Sequence, residues 1–200
     1  MKLYGSHRSP YVQKARTFIR EKGVSCEFIE ARPAEREVLA LNPLSQVPTL
    51  ARDDGEGLFD SCVIIEFIDG MKQEPCLIPK EFNERIAVKR WEALCDGVAE
   101  AGRMVVNEMR EPEATRKGAD HFRKHGSKIE RGLAFIDAIP LENPFLAGER
   151  ITLADIAFGA AYAYLMKSLP DATLLDAYPA AKARAMRLFE RPAFAPLIAL

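Results

Sequence analysis

The sequence predicts an α/β domain followed by an all-helical domain. Three observations carry this. Short strand-like and helix-like segments alternate through the first part of the chain; from Asn83 onward every periodic segment is helical; and the change falls next to the proline-flanked stretch Pro75–Pro79. The expected division is residues 1–78 for the first domain and 84–200 for the second.

The elements follow from local rules. Lys2–Gly5 is a short strand. Pro10 to Lys22 is a helix: Pro suits its first position, Ser9 stands at the N-cap, and Gly23 stops it. Val12, Ala15, Phe18 and Ile19 form its buried face, while Tyr4 belongs to the core. Cys26–Glu30 is a second strand and Ala34–Leu41 a short helix ended by Asn42-Pro43. Thr49–Ala51 and Leu58–Phe59 flank a turn-rich loop, Asp53 to Gly57, and read as an antiparallel hairpin. Ser61 caps a helix through Met71 with Val63, Ile64, Phe67 and Ile68 buried. The order is β-α-β-α-β-β-α, with the first two strands parallel.

The second domain is expected to contain helices over 83–110, with Ile86, Trp91, Leu94 and Val98 on one face, and over 114–139, 152–169 and 179–190. Thr152-Leu153-Ala154-Asp155 fits a capping box, with Ile151 and Ile156 as its hydrophobic staple. That makes Asp155 a structural cap rather than a catalytic carboxylate.

Several function classes are excluded. A net charge of -1 over 200 residues gives no electrostatic reason to expect nucleic acid or an anionic membrane as partner. No apolar run approaches the ~20 residues of a membrane span, and Met1 to His7 does not read as a signal peptide. Cys26, Cys62, Cys76 and Cys95 are scattered without a CxxC pair, so neither a zinc site nor a disulfide framework is expected. His121 and His125 have helical spacing but no completing ligands, and read as solvated residues rather than a metal site.

Three features of the first domain carry chemistry. Ser9 stands at a helix N-terminus, where free N–H groups and a partial positive charge can hold an anion such as a thiolate, and its hydroxyl can donate to sulfur. Gln46-Val47-Pro48-Thr49-Leu50 places a proline at the mouth of a strand; a cis bond there would turn the Val47 N–H and C=O toward a peptide laid alongside. A trans proline blocking a strand edge is the plainer alternative. Asp60-Ser61 offers an acceptor for an ammonium group and donors for a carboxylate, and is equally an ordinary capping pair.

The order and spacing of Ser9-Pro10-Tyr11-Val12-Gln13-Lys14-Ala15-Arg16, then Asn42 to Leu50, then Asp60-Ser61 with Ile64 to Ile68, resembles the glutathione transferase superfamily. The N-terminal motif resembles that of the bacterial branch with SPFVRK, and Thr152 to Asp155 resembles the capping motif of the family's helical domain. The resemblance implies a thioredoxin-like domain, a helical domain shaping a site for an apolar electrophile, a cytoplasmic homodimer, and glutathione as co-substrate without a metal. It implies that Val47, beside a cis Pro48, binds the cysteinyl backbone, that Asp60 and Ser61 hold the γ-glutamyl end with Gln46 nearby, and that Ser9 faces sulfur, with Ser6 as the alternative.

A cysteine at Ser9 would favour thiol exchange; a serine can only stabilise the thiolate, as detoxifying transfer to an electrophile requires. Tyr11, Arg103 and Met104 are candidates for the electrophile site by position, with Arg8 nearby. The alternatives are a glutathione-dependent isomerase or dehalogenase and a non-catalytic interaction protein.

Overall fold

Four short strands and three helices build the first part of the chain: β1 (Lys2–Gly5), α1 (Pro10–Lys22), β2 (Glu27–Glu30), α2 (Arg36–Leu41), β3 (Thr49–Ala51), β4 (Gly57–Phe59) and α3 (Ser61–Met71). The computed structural model describes residues 1–169 and 171–199. Residues 170 and 200, inside the predicted second domain, lie outside the described residues. The sheet order is β2-β1-β3-β4, with β1 parallel to β2 and β3 antiparallel to both its neighbours. This is the thioredoxin-like arrangement.

Local chemistry fixes α1. The Ser9 hydroxyl accepts from the Val12 N–H, Pro10 opens the helix, and Gly23 closes it at φ 59°, where a side chain would be strained. Val12, Ala15, Phe18 and Ile19 are buried as expected.

Some boundaries and faces differ from the expectation. β2 starts at Glu27, and α2 starts at Arg36, because Ala34 takes φ 71° and cannot be helical. The N-cap of α3 is Asp60 rather than Ser61, which is its first helical residue. Its buried face is Ser61, Ile64, Ile65 and Ile68, with Val63 49% exposed and Phe67 half-buried. Three consecutive β-branched apolar residues, Val63 to Ile65, leave the inward face ambiguous until the sheet selects the 61/64/65/68 stripe.

The remainder is helical: α4 (Phe82–Arg110), α5 (Ala119–Asp137), α6 (Leu153–Ser168) and α7 (Pro179–Phe189), with short 3-10 turns at Glu113–Thr115, Ala172–Ala177 and Ala195–Leu197. The helix expected over 114–139 is divided by Gly118 at φ 83°. Trp91 and Val98 of α4 are buried, but Ile86 is exposed. α6 is enclosed on nearly every side and packs against α4 and α1. Asp155 is wholly buried and accepts from the N–H groups of Thr152 (2.9 Å) and Leu146 (2.8 Å), so it caps α6 and ties down the preceding loop.

His121 and His125 are only partly solvated. Both are half-buried: His121 Nε2 lies 3.4 Å from the Met104 carbonyl oxygen and 3.9 Å from Glu108, and the His125 ring packs on His121 at 4.4 Å. The proposed first domain, 1–78, ends between α3 and α4, and the proposed second, 84–200, begins in the first turn of α4. Across it, Leu153 N–H donates to the Leu77 carbonyl at 2.9 Å, and Arg191 pairs with Glu21.

Candidate active site

A cleft of about 1170 Å³ runs between the loop before α1, the approach to β3, the start of α3, and facing sides of α4 and α6. Ser9, Gln46, Val47, Pro48, Asp60 and Ser61 all line it, as do Tyr11 and Arg103. Met104 does not: one residue further along α4 turns it about 100° from Arg103.

Ser9 sits half-buried at the mouth of α1. Its Oγ accepts from Val12 N–H at 3.4 Å, which leaves the hydroxyl proton to donate elsewhere. Ser6 lines the same cleft; its Oγ accepts from Arg8 N–H at 3.3 Å and its carbonyl from Ser9 N–H at 3.0 Å. Both hydroxyls therefore face one region.

The Val47–Pro48 peptide is cis. Among the described residues, no hydrogen bond uses the Val47 N–H or C=O. The segment before it is held from below. Buried Asn42 donates through Nδ2 to the Gln46 carbonyl (2.9 Å) and to Thr49 Oγ1 (3.2 Å), and Thr49 Oγ1 donates to the same Gln46 carbonyl (2.8 Å). Sequence reasoning missed this brace. A polar Asn at a helix end beside a proline turn was the available signal, since Asn readily bonds nearby backbone there.

At the start of α3, Asp60 adopts φ 71°, an unusual conformation for a residue with a side chain. Its Oδ1 accepts from Cys62 N–H at 2.7 Å. Ser61 follows, buried at the helix N-terminus. An acceptor carboxylate and helix N–H donors thus stand side by side.

The α4 wall carries Asp96, Glu100, Arg103, Asn107 and Arg110, spaced four, three, four and three residues apart and hence on one face. Glu100 ties the two domains: its Oε2 accepts from the Tyr11 hydroxyl (2.8 Å) and from Arg103 Nε (2.8 Å), and its Oε1 from Arg103 Nη2 (2.8 Å). Burial, and then Glu100, push the Tyr11 phenol far above its ordinary pKa, so it stays a neutral donor committed to Glu100.

Beneath the cleft, Lys14 Nζ lies 2.9 Å from Glu92, 2.6 Å from Asp96 and 3.7 Å from Cys62 Sγ. Ligand atoms of Cys62, Glu92 and Asp96 come within 4.8 Å of one another, but the Lys14 ammonium supplies the positive charge they surround. Burial opposes that charge, yet Asp96 and Glu92 outweigh it and hold Lys14 protonated well above the usual lysine range. Burial pushes the Cys62 thiol up to about 12, which keeps it unreactive at neutral pH.

Residues 3–75 match the glutathione S-transferase N-terminal domain and residues 112–183 the glutathione S-transferase C-terminal domain. The chain is 36% identical over 167 residues to the uncharacterized GST-like protein YibF of Escherichia coli (strain K12), covering 82% of each. It is 28% identical over 211 residues to a maleylacetoacetate isomerase of Pseudomonas aeruginosa, covering 97% of this chain and 93% of that protein. Its fold superposes on a crystal structure of a glutathione S-transferase from Methylobacillus flagellatus KT with glutathione bound, at TM-score 0.93 and 34% identity, covering 100% of this chain and 99% of the other. With both domains matched in order and one architecture shared from end to end, the chain belongs to the glutathione S-transferase family.

Proposed function

We propose that the protein binds glutathione along the Gln46–Val47–Pro48 edge and stabilises its thiolate at Ser9 for attack on an electrophile. The carrying observation is that three separately encoded features open on one cleft: the Ser9-capped end of α1, the unpaired Val47 backbone, and the Asp60–Ser61 start of α3. In this reading the Val47 N–H and C=O pair with the cysteinyl residue as an added strand. Asp60 accepts from the α-ammonium group, Ser61 donates to the α-carboxylate, and Gln46 supports the tripeptide. The bound glutathione of the Methylobacillus flagellatus relative supports the same ligand here.

The thiol proton leaves to water. The sulfur electron pair then forms the bond to carbon while a leaving group departs with its own pair, or while an adjoining double bond takes up a proton. A free thiol has a pKa of about 8.5, and lowering it by ~2 units needs about 2.7 kcal/mol of preferential thiolate binding. One hydroxyl donor and a helix terminus supply energy of that order.

A glutathione-dependent isomerase is the second reading, favoured by the similarity to maleylacetoacetate isomerase. The same thiolate would add to a conjugated bond and leave after rotation, with no net consumption of glutathione.

The protein is further proposed to work in the cytoplasm, in detoxification, as a homodimer. Four free cysteines suit a reducing compartment. The apolar Val63 of α3 and Phe82 and Ile86 of α4 are exposed on neighbouring helices, where a second copy would cover them.

The test is a pH titration of bound glutathione by thiolate absorbance, for the native protein and Ser9→Ala. The expected result is a thiol pKa well below the free value, returning toward it in the variant. Binding without a Ser9 effect moves the sulfur contact to Ser6. No glutathione binding at all overturns the enzyme reading in favour of an interaction protein.

A further inference from the structure

The cleft beyond Ser9 is not a plain apolar pocket. Pro10, Ala160, Ala163 and the rings of Tyr11 and Tyr164 give it apolar surface, but charge is arranged along it in order. The α4 stripe begins with acids, Asp96 and Glu100, on the Asp60–Ser61 side and ends with bases, Arg103 and Arg110. Arg8 adds a third guanidinium to the cleft from the loop before α1, and Lys167 of α6 also lines it. The two acids are already paired, Asp96 with Lys14 and Glu100 with Arg103 and Tyr11, so the unpaired charge on this wall is basic.

Arg103 is neutralised by its bidentate pair with Glu100. Among the described residues, neither Arg8 nor Arg110 forms an ion pair. Arg110 sits in the last turn of α4, where the helix dipole favours a cation. Its field reaches the opposite wall: burial raises the Tyr164 phenol, while Arg110 first and then Arg103 pull it back down.

We infer that the electrophile of this enzyme has an apolar body and a carboxylate, the body lying on the Tyr11 and Tyr164 rings and the carboxylate reaching Arg110 and Arg8. A planar guanidinium offers parallel N–H donors that a carboxylate accepts bidentately, and a carboxylate sits readily on an apolar aromatic body. The inference rests on the glutathione reading above and deepens it by naming the substrate class.

The test compares two synthetic conjugates that differ only at the tail, S-(4-carboxy-2-nitrophenyl)glutathione and its 4-carbamoyl analogue, with glutathione itself, by calorimetry on the full chain. The glycyl and γ-glutamyl groups are common to all three, so only the tail charge is read. The carboxylate conjugate is expected to bind about tenfold more tightly than the amide, as for a charge-assisted bond set against a neutral one. The ratio should shrink as salt is raised, and fall toward one in Arg110→Gln combined with Arg8→Gln. Equal affinities for the two conjugates, with glutathione still bound, overturn the inference and leave the glutathione reading standing. A preference that survives in the double variant overturns the assignment to these arginines. Failure of glutathione itself to bind removes the reading beneath.

Discussion

Lys14 is 1% exposed and lies between Glu92 and Asp96, so a single charge from α1 is neutralised by two from α4. Burial pushes the Glu92 carboxyl up, but Lys14 and then Lys89 outweigh it, and it remains below the ordinary carboxylate range. A carboxyl depressed in the folded state adds stability above its unfolded pKa, about 4.3 for Glu, and loses it as pH falls through the lower folded value. Glu92→Gln should therefore cost about 2–3 kcal/mol at pH 7, at or just below the usual cost of breaking a buried pair. The gap to the native protein should narrow below pH 4, read by urea unfolding at a series of pH values. A constant gap would mean that lost packing, not charge, causes the effect. None of this cluster was legible in the sequence, because Lys14 meets partners 78 and 82 residues away. Ser9, Val47, Pro48, Asp60 and Ser61 were legible because caps and proline-led strand mouths are local signals, and all five line the cleft. Met104 was placed by position alone, and a single helical step from Arg103 leaves it out of the cleft lining.

At the scale of elements, α2 approaches β4 beside the Gln46–Val47–Pro48 edge proposed to bind glutathione. A Cβ placed on Gly57 would fall on the Leu41 carbonyl oxygen and 2.9 Å from Leu41 Cβ. That oxygen belongs to the backbone at the end of α2 and cannot swing aside. The next residue is Asn42, which braces the Gln46 carbonyl. Gly57→Ala is expected to destabilise the protein by about 2 kcal/mol, as overpacking does, and to weaken glutathione binding as the Asn42 brace shifts. Denaturant midpoints and glutathione titration check the two effects; an unchanged midpoint would mean that α2 yields freely. Elements were readable where they carry their own stop signals, such as Gly23 after α1 and the turn-rich Asp53 to Glu56 between the hairpin strands. The inward face of α3 was not, since only the sheet distinguishes Ile65 from Val63.

At the scale of the molecule, α3 and α4 are joined by Glu66, which pairs with Lys89 at 3.1 Å and also with Arg85. The same two helices carry Val63, Phe82 and Ile86, exposed by 49%, 71% and 51%. Large apolar groups gathered on adjacent helices are costly to leave in water, and the proposed homodimer would bury them. In a twofold pairing each substitution acts twice and faces its own image or a near neighbour. Phe82→Glu would then remove two apolar contacts and place two carboxylates in a drying interface, which burial strongly disfavours. Sedimentation of the native protein should give about twice the 22.3 kDa chain mass, and Phe82→Glu should shift it to the single-chain value with the helical signal intact. A native protein that sediments at 22.3 kDa across the micromolar range rejects the pairing, and leaves the cleft, lined by residues of one chain, to act alone.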